Sequence, residues 1–164
     1  MIKSKRVLKR WHKNGVLKYE GLYKNGLKEG IHHKYYDTGA IESASSYKEG
    51  LLNGVSKQWY DNGQLFYRKE YQRGKKHGIV KSWCRNGKPL RIGHYVNGIP
   101  QGKFESWDYK GKGIKISKRN YLKGQPHGKF GIGSVKSKVW KYTYFIKGVQ
   151  IDKNEFIRRT KESV

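Results

Sequence analysis

The sequence contains little cysteine, few acidic residues and no long apolar run. Its single cysteine, Cys84, excludes an internal disulfide framework and any metal site built from several cysteines. Nowhere does the chain approach the about 20 consecutive apolar residues of a membrane-spanning helix. Its first residues, MIKSKRVLKRW, lack the apolar segment of a secretory signal peptide. These absences predict a soluble intracellular protein, located in the cytoplasm or, for a viral chain, in the virion.

Glycine and aromatic side chains are abundant instead. The 164 residues include 21 glycines, 13 tyrosines and 5 tryptophans, whereas only 35% of the chain is hydrophobic. Disordered segments are poor in aromatic residues, and glycine combined with aromatic residues favours strands joined by tight turns. Composition therefore predicts an ordered, all-β protein.

Positive charge dominates the chain. It has 37 lysines and arginines against 12 acidic residues, which gives a formal net charge of +25. A charge of this size attracts polyanions, namely acidic proteins, nucleic acid or anionic membranes. A compositional drift towards lysine would produce the same excess without any binding role, and composition alone leaves both explanations open.

A repeat with a step of 24 residues runs through the chain. Its clearest column is aromatic and consists of Trp11, Tyr35, Trp59, Trp83 and Trp107. A glycine column that includes Gly54 and Gly78 and a tyrosine column that includes Tyr47 and Tyr71 recur with the same 24-residue step. The phase slips by two residues after Gly111, which places a short insertion within residues 112–118, and a degenerate last unit ends near Gly148. Independent columns in one phase identify a tandem array.

Each unit has the pattern of a β-hairpin. A representative turn is Asn62-Gly63, and Asn-Gly is the strongest short signal for a hairpin. A lone hairpin is unstable in water, but stacked hairpins bury their aromatic columns between neighbours. We therefore expect an elongated, single-layer antiparallel sheet of about six tandem hairpins over residues 1–151, with Arg6–Trp11 as one edge. Residues 152–164 are expected to form a basic cap or tail, in which Asp152–Lys161 is a short helix that covers the last strand.

A basic column stands two residues before the aromatic one and consists of Lys9, His33, Lys57 and Lys81, and Glu105 interrupts it at the next repeat. A two-residue offset on a strand places both columns on one face, where they would stack bases and neutralise phosphates. The alternative is packing, in which lysine stems cover the aromatic rings. A second basic cluster lies at residues 110–119, which are expected to project from the sheet. The candidate binding residues are Lys9, Trp11, Tyr35, Lys57, Trp59, Lys81, Trp83, Trp107, Lys110, Lys112, Lys115, Lys118 and Arg119.

Neither a metal site nor a catalytic site is predicted. His77 and His127 occupy equivalent positions two repeats apart, which is too far for a shared zinc ion. Asp37 and Asp61 belong to hairpin turns, where aspartate bonds its own backbone. Cys84 has no basic partner that the repeat would fix beside it. We therefore expect a protein that is not an enzyme, without cofactors or catalytic residues.

Three stretches, Tyr23–Gly30, Trp59–Leu65 and Gly74–Gly78, resemble the MORN repeat family and in particular its variant repeat. The resemblance covers residues 7–148. It implies an elongated, twisted antiparallel sheet of successive hairpins. It also implies a scaffold, a dimerisation module or a membrane-contact module, and variant arrays are described both as bacterial antitoxins and in large DNA viruses. The strong basicity and the degenerate final unit depart from the usual array.

The function expected from these features is a non-enzymatic protein-interaction or structural scaffold, such as a basic component of a larger assembly or of a virion. Its partner would be an acidic protein or a second copy joined end to end through exposed strands. A first alternative is a salt-dependent module that binds nucleic acid or acidic lipid. A second is an antitoxin-like protein that binds a partner.

Overall fold

The computed structural model describes residues 4–109, 113–136 and 138–161. Within these ranges the chain forms antiparallel strands followed by one helix. The elements are β1 (Lys5–Trp11), β2 (Leu17–Lys24), β3 (Leu27–Tyr35), β4 (Ile41–Lys48), β5 (Leu51–Trp59), β6 (Leu65–Gln72), β7 (Lys75–Trp83), β8 (Pro89–Val96), β9 (Ile99–Pro100), β10 (Gly102–Asp108), β11 (Lys115–Leu122), β12 (Gln125–Pro126), β13 (Gly128–Ser134), β14 (Trp140–Ile146), β15 (Val149–Ile151) and α1 (Lys153–Lys161).

Strand order follows chain order. All strands of the described residues belong to one 15-stranded open sheet, in which the short strands β9 and β12 pair with β8 and β11 beside the main path. Each hairpin therefore pairs with the hairpin before it and the hairpin after it. The predicted single-layer array of tandem hairpins is confirmed.

Two kinds of turn join the strands, one on each long side of the ribbon. On one side, Asn62 Oδ1 accepts a hydrogen bond of 3.2 Å from the N–H of Gln64, as expected for an Asn-Gly turn. On the other side, Glu49 and Gly50 adopt φ values of 52° and 82°. The Gly50 N–H then donates to the carbonyl of Lys28 at 2.9 Å. Because Lys28 follows the equivalent turn one repeat earlier, the turns themselves connect neighbouring repeats.

Tyrosine hydroxyls add a second link between repeats. The hydroxyl of Tyr36 donates to the carbonyl of Trp59 at 2.7 Å, and that of Tyr60 donates to the carbonyl of Trp83 at 3.0 Å. Each bond spans almost one 24-residue period. Cys84 occupies the next position in this column and has no hydroxyl, whereas Tyr109 donates to the carbonyl of Pro89 at 2.6 Å.

The described part of the chain forms a single-layer sheet, with no second layer to bury its apolar side chains. Among the residues that the structure describes, no hydrophobic side chain is buried, and the buried polar ones are His32 and Ser56, each 4% exposed. Successive side chains alternate between two faces. We name them the column face, which carries Lys9 and Lys57, and the groove face, which carries His32 and Ser56. Stability must come from contacts between neighbouring strands rather than from a central core.

The predicted terminal helix is present. Asp152 caps it, because its Oδ1 accepts hydrogen bonds of 2.8 Å and 2.9 Å from the N–H groups of Asn154 and Glu155. Phe156 packs against Tyr144 of β14, with ring centroids 5.2 Å apart. The expectation that the helix covers the last strand is wrong, since it packs on β14 and leaves Val149 of β15 64% exposed.

Candidate functional site

The basic column predicted from the sequence forms a row across the sheet. Strand register places Glu20 between Lys9 and His33, and Arg68 between Lys57 and Lys81. Alternation of side chains then puts these residues on one face. The aromatic column lies on the same face at Tyr35, whose hydroxyl donates to Glu20 at 2.8 Å.

Acidic residues neutralise part of this column face. Glu20 lies 3.9 Å from Lys9 Nζ and 3.8 Å from His33. Glu105 lies 3.5 Å from Lys118 Nζ. Ion pairs of this exposure contribute little stability, but they occupy the cations that the column was expected to offer to a ligand.

Glu70 and Arg68 add a further ion pair to the column face, with 2.5 Å between their nearest atoms. A hydrogen bond from the Arg68 guanidinium, and to a smaller extent one from the N–H of Ile79, holds the pKa of the Glu70 carboxyl below its usual value. This lowered pKa means that the carboxylate is charged at neutral pH and keeps Arg68 engaged.

The tryptophans of the column are half-buried at Trp59, Trp83 and Trp107, whereas Trp11 at the edge of the sheet is 59% exposed. Within the described part of the chain, the cation–π contacts involve tyrosines and Trp140 instead of these four tryptophans. The face therefore holds the predicted residue types without the stacked lysine–tryptophan pairs.

The predicted basic insertion does not form one cluster. Lys115, Lys118 and Arg119 lie in β11, so the expectation that residues 110–119 project is wrong for this part. Lys118 and Arg119 are adjacent on the strand and point to opposite faces. Lys110 and Lys112 lie outside the described residues.

A groove of about 730 Å³ lies on the groove face, over β6 to β11. Its volume is within the range of pockets that enclose a small ligand or a few side chains, about 300–1,000 Å³. Aromatic residues form its walls, and these are Tyr67, Tyr95, Phe104 and Tyr121. Its floor consists of small residues such as Val80, Ser82, Gly93 and Ser106.

The groove exists because small and large side chains alternate along the rows of this face. Gly93 has no side chain, and a Cβ there would overlap the ring of Phe104. Phe104 in turn meets Tyr95 and Tyr121 edge-on, with centroids 5.3 Å and 5.0 Å apart. These rings stand above the strands, and the short side chains of Val80 and its neighbours leave the depression beside them.

Four cations line the groove, namely Lys69, Lys76, Arg91 and Arg119. No carboxylate of the described residues forms an ion pair with any of them. Glu105 also borders the groove, but it pairs with Lys118. The groove therefore presents positive charge that the protein itself leaves unneutralised.

Aromatic faces hold two of these cations in place. Lys69 Nζ lies 3.6 Å from the ring centroid of Tyr67, and Lys76 Nζ lies 5.0 Å from that of Tyr95. Burial, together with the nearby charge of Lys76, lowers the pKa of Lys69. An anion in the groove would offset the repulsion between the Lys69 and Lys76 ammonium groups.

A polar row crosses the groove floor. Register aligns Ser82 with Arg91, Arg91 with Ser106, and Ser106 with Ser117. The buried Oγ of Ser117 has no hydrogen-bond partner. A buried hydroxyl without a hydrogen bond costs free energy of folding. A ligand atom that donates to or accepts from Ser117 Oγ would supply the missing hydrogen bond.

The histidines considered as metal ligands have structural roles. His77 Nδ1 accepts a bond of 3.4 Å from the N–H of Asn97, and His127 Nδ1 does the same for Lys147. The equivalent acceptors in other repeats are Glu29, Asn53 and Gln101. Every side chain in this column bonds the positive-φ residue of the following turn. The signal was present in the sequence as a hydrogen-bond acceptor directly before each repeat glycine, and sequence analysis missed it.

Comparison with known proteins identifies the repeat. The family model described as MORN repeat variant matches residues 7–25, 52–73 and 76–97, which confirms the resemblance. No curated protein matches the chain. No helix within the described ranges is both long enough and apolar enough to cross a membrane.

Proposed function

Because the chain belongs to the MORN-variant repeat family, whose modules commonly contact proteins or membranes, we propose that it is a non-enzymatic interaction module whose groove binds an acidic segment of a partner protein. The observation that carries this proposal is the unpaired state of the four groove cations. On the column face, by contrast, carboxylates already engage several of the basic side chains.

The spacing of the cations suits an extended acidic chain. Lys69, Arg91 and Arg119 lie on β6, β8 and β11, each two strands from the next along the main path of the sheet. Measured across the strands, two strand spacings are about 9.6 Å, which is close to the about 9.3 Å that one three-residue turn of an extended polyproline II chain spans, and in that conformation every third side chain points the same way. A partner segment with a carboxylate at every third residue would therefore meet successive cations. The aromatic walls add contacts to its intervening side chains.

The net charge of +25 supports fast, steered encounter with such a partner. It also argues against end-to-end self-association. One end of the sheet carries Lys5, Lys9 and Arg10, and the helix at the other end carries Arg158 and Lys161. Two basic ends repel one another at low salt.

The test uses the full chain and a labelled peptide that has glutamate at every third position. Arg91→Gln combined with Arg119→Gln should weaken peptide binding by about tenfold or more, because charge-assisted bonds are lost. The matched control, Lys57→Gln combined with Lys81→Gln, removes the same charge from the column face and should cause a smaller loss.

Equal losses in the two double variants would reduce the effect to net charge and contradict the groove. Anionic vesicles and single-stranded DNA provide competing probes. Tighter binding of either probe, lost with the groove variant and retained by the control, would reassign the groove to lipid or to nucleic acid.

A further inference from the structure

The last repeat replaces both columns of the column face by glycine. Gly131 stands where earlier repeats carry Lys81 and Glu105, and Gly133 stands where they carry Trp83. Register then pairs Gly131 with Tyr142 and Gly133 with Trp140 on β14. The vacated positions are filled from the neighbouring strand.

Two aromatic rings lie flat over these glycines. A Cβ at Gly133 would overlap the indole of Trp140, and one at Gly131 would lie 3.0 Å from the Tyr142 ring. The rings of Trp140 and Tyr142 are nearly parallel, at 10°, with centroids 6.3 Å apart. Both glycines are buried beneath them, while Tyr142 remains 47% exposed. Each ring thus has one side on the backbone and the other directed outward, and we name the pair the ring platform.

Two lysines border the ring platform. Lys118 Nζ lies 5.6 Å from the Trp140 ring and 3.5 Å from Glu105, while Lys129 Nζ lies 3.6 Å from the Tyr142 ring. Lys129 has no carboxylate partner among the described residues. Cations and flat aromatic surface therefore coincide here, as the sequence had suggested for the tryptophan column.

We infer that the ring platform binds single-stranded nucleic acid, with a base stacked on Trp140 and the flanking phosphates contacted by Lys129 and Lys118. Bases stack on exposed aromatic rings independently of sequence, and lysines follow the backbone. Trp140 is the primary stacking ring, because Lys118 Nζ lies farther from its ring centroid than Lys129 Nζ lies from that of Tyr142, whose outer face Lys129 covers. Lys129 is exposed and its stem is flexible, so its ammonium group can move from the ring to a phosphate.

Single strands are favoured over the other polyanions by the geometry. A duplex keeps its base faces stacked inside the helix, so it cannot use the rings. An acidic peptide or a lipid headgroup would meet the two lysines without needing two parallel rings. The ring platform lies on the face opposite the groove and shares none of the four groove cations.

The experiment titrates the full chain with labelled oligo-dT and with a duplex of equal length at several salt concentrations. Trp140→Leu should weaken oligo-dT binding by about 5- to 160-fold, the range for loss of one stacked base. Trp11→Leu is the matched control, because Trp11 is an exposed tryptophan at the far edge of the sheet, and it should leave affinity nearly unchanged. Lys129→Gln should lower the salt slope by about 0.7, the value for one phosphate contact on a single strand.

One further variant and a measurement of the fold distinguish loss of stacking from misfolding. Trp140→Phe retains a ring and should recover most of the affinity, and circular dichroism checks the fold of each variant. Equal losses for Trp11→Leu and Trp140→Leu, or equal binding of duplex and single strand, would overturn the inference. Loss of oligo-dT binding in the Arg91→Gln and Arg119→Gln variant, with Trp140→Leu unaffected, would place the nucleic acid in the groove and also overturn it.

Discussion

Among the described residues of the groove face, His32 is the most enclosed ionisable side chain, with 4% of its surface exposed. Its Nε2–H donates to the carbonyl of Leu22 at 2.9 Å, and its Nδ1 accepts from the hydroxyl of Tyr19 at 2.5 Å. Gly21 makes room for the ring, since a Cβ there would overlap it. Both hydrogen bonds are satisfied by neutral imidazole, so the native structure favours the uncharged form.

This preference predicts a pH dependence of stability. Burial lowers the pKa of His32 below its ordinary value of 6.5. Between that folded pKa and pH 6.5 the unfolded chain binds more protons than the native one, so stability is full above 6.5 and declines as pH falls through this window. The measurement is the thermal midpoint against pH in the wild type and in His32→Gln.

The decline near pH 6 should disappear in His32→Gln, whatever its overall stability. The carboxyls of Asp61 and Glu70, whose pKa values are lowered chiefly by hydrogen bonds from Arg85 and Arg68, act separately. They contribute stability that is lost only at more acidic pH, as they become protonated. An unchanged slope above pH 5.5 in the variant would show that His32 is not the group responsible.

At the scale of the element, α1 is a peripheral unit attached to a repetitive sheet. Asp152 caps it, and Glu155 pairs with Arg159 one turn later, 2.5 Å apart. Its main ring contact is the one between Phe156 and Tyr144. A short helix with few tertiary contacts depends strongly on its cap.

Asp152→Ala should therefore destabilise the helix by about 1 kcal/mol, the usual value of an N-cap. Because repeat arrays open in local units, the loss should be confined to residues 153–161. Hydrogen exchange would show faster exchange there and unchanged protection in β5 to β8. Lys153→Ala, a neighbouring change without a capping role, serves as control, and loss of protection across the whole sheet would contradict local unfolding.

At the scale of the whole molecule, stability is distributed between neighbouring repeats. No hydrophobic side chain of the described residues is buried in a common core. The links between repeats are instead local and recurrent, as in the bond from Gly50 to Lys28 and its equivalent from Gly74 to Leu52. Such an array behaves as a one-dimensional chain of interfaces.

Excision of residues 51–74 removes one 24-residue period and joins Gly50 to Lys75 in phase. We expect the shortened protein to fold, to be less stable, and to be shorter by two strand spacings, about 9.6 Å. Circular dichroism and small-angle X-ray scattering measure these properties. Excision of residues 51–62 alone breaks the phase and should not give an ordered array; equal folding of both deletions would contradict a periodic array.

The sequence by itself determined the repeat, the hairpins and their order. Turn residues such as Asn62 and Gly63 act over a few bonds, and the 24-residue columns require stacking with neighbours, so both are readable without coordinates. The signal for the helix after Asp152 is equally local, because the cap bonds backbone groups two and three residues away. The terminal cap was misplaced by one strand, because the contact of Phe156 with Tyr144 depends on where the helix returns across the sheet.

Only the tertiary structure decided on which face the cations lack acidic partners. Register places Glu20 beside Lys9 on the column face and leaves Arg91 and Arg119 without acidic partners in the groove. Irregularities such as the shift between Glu20 and Leu22 change this pairing, and they recur in the next two repeats, but which side chains they bring together is visible only in the assembled sheet. The ring platform likewise arises because Trp140 of one strand covers Gly133 of another. Charge and ring stacking are properties of neighbours across strands, and those neighbours are fixed only when the sheet forms.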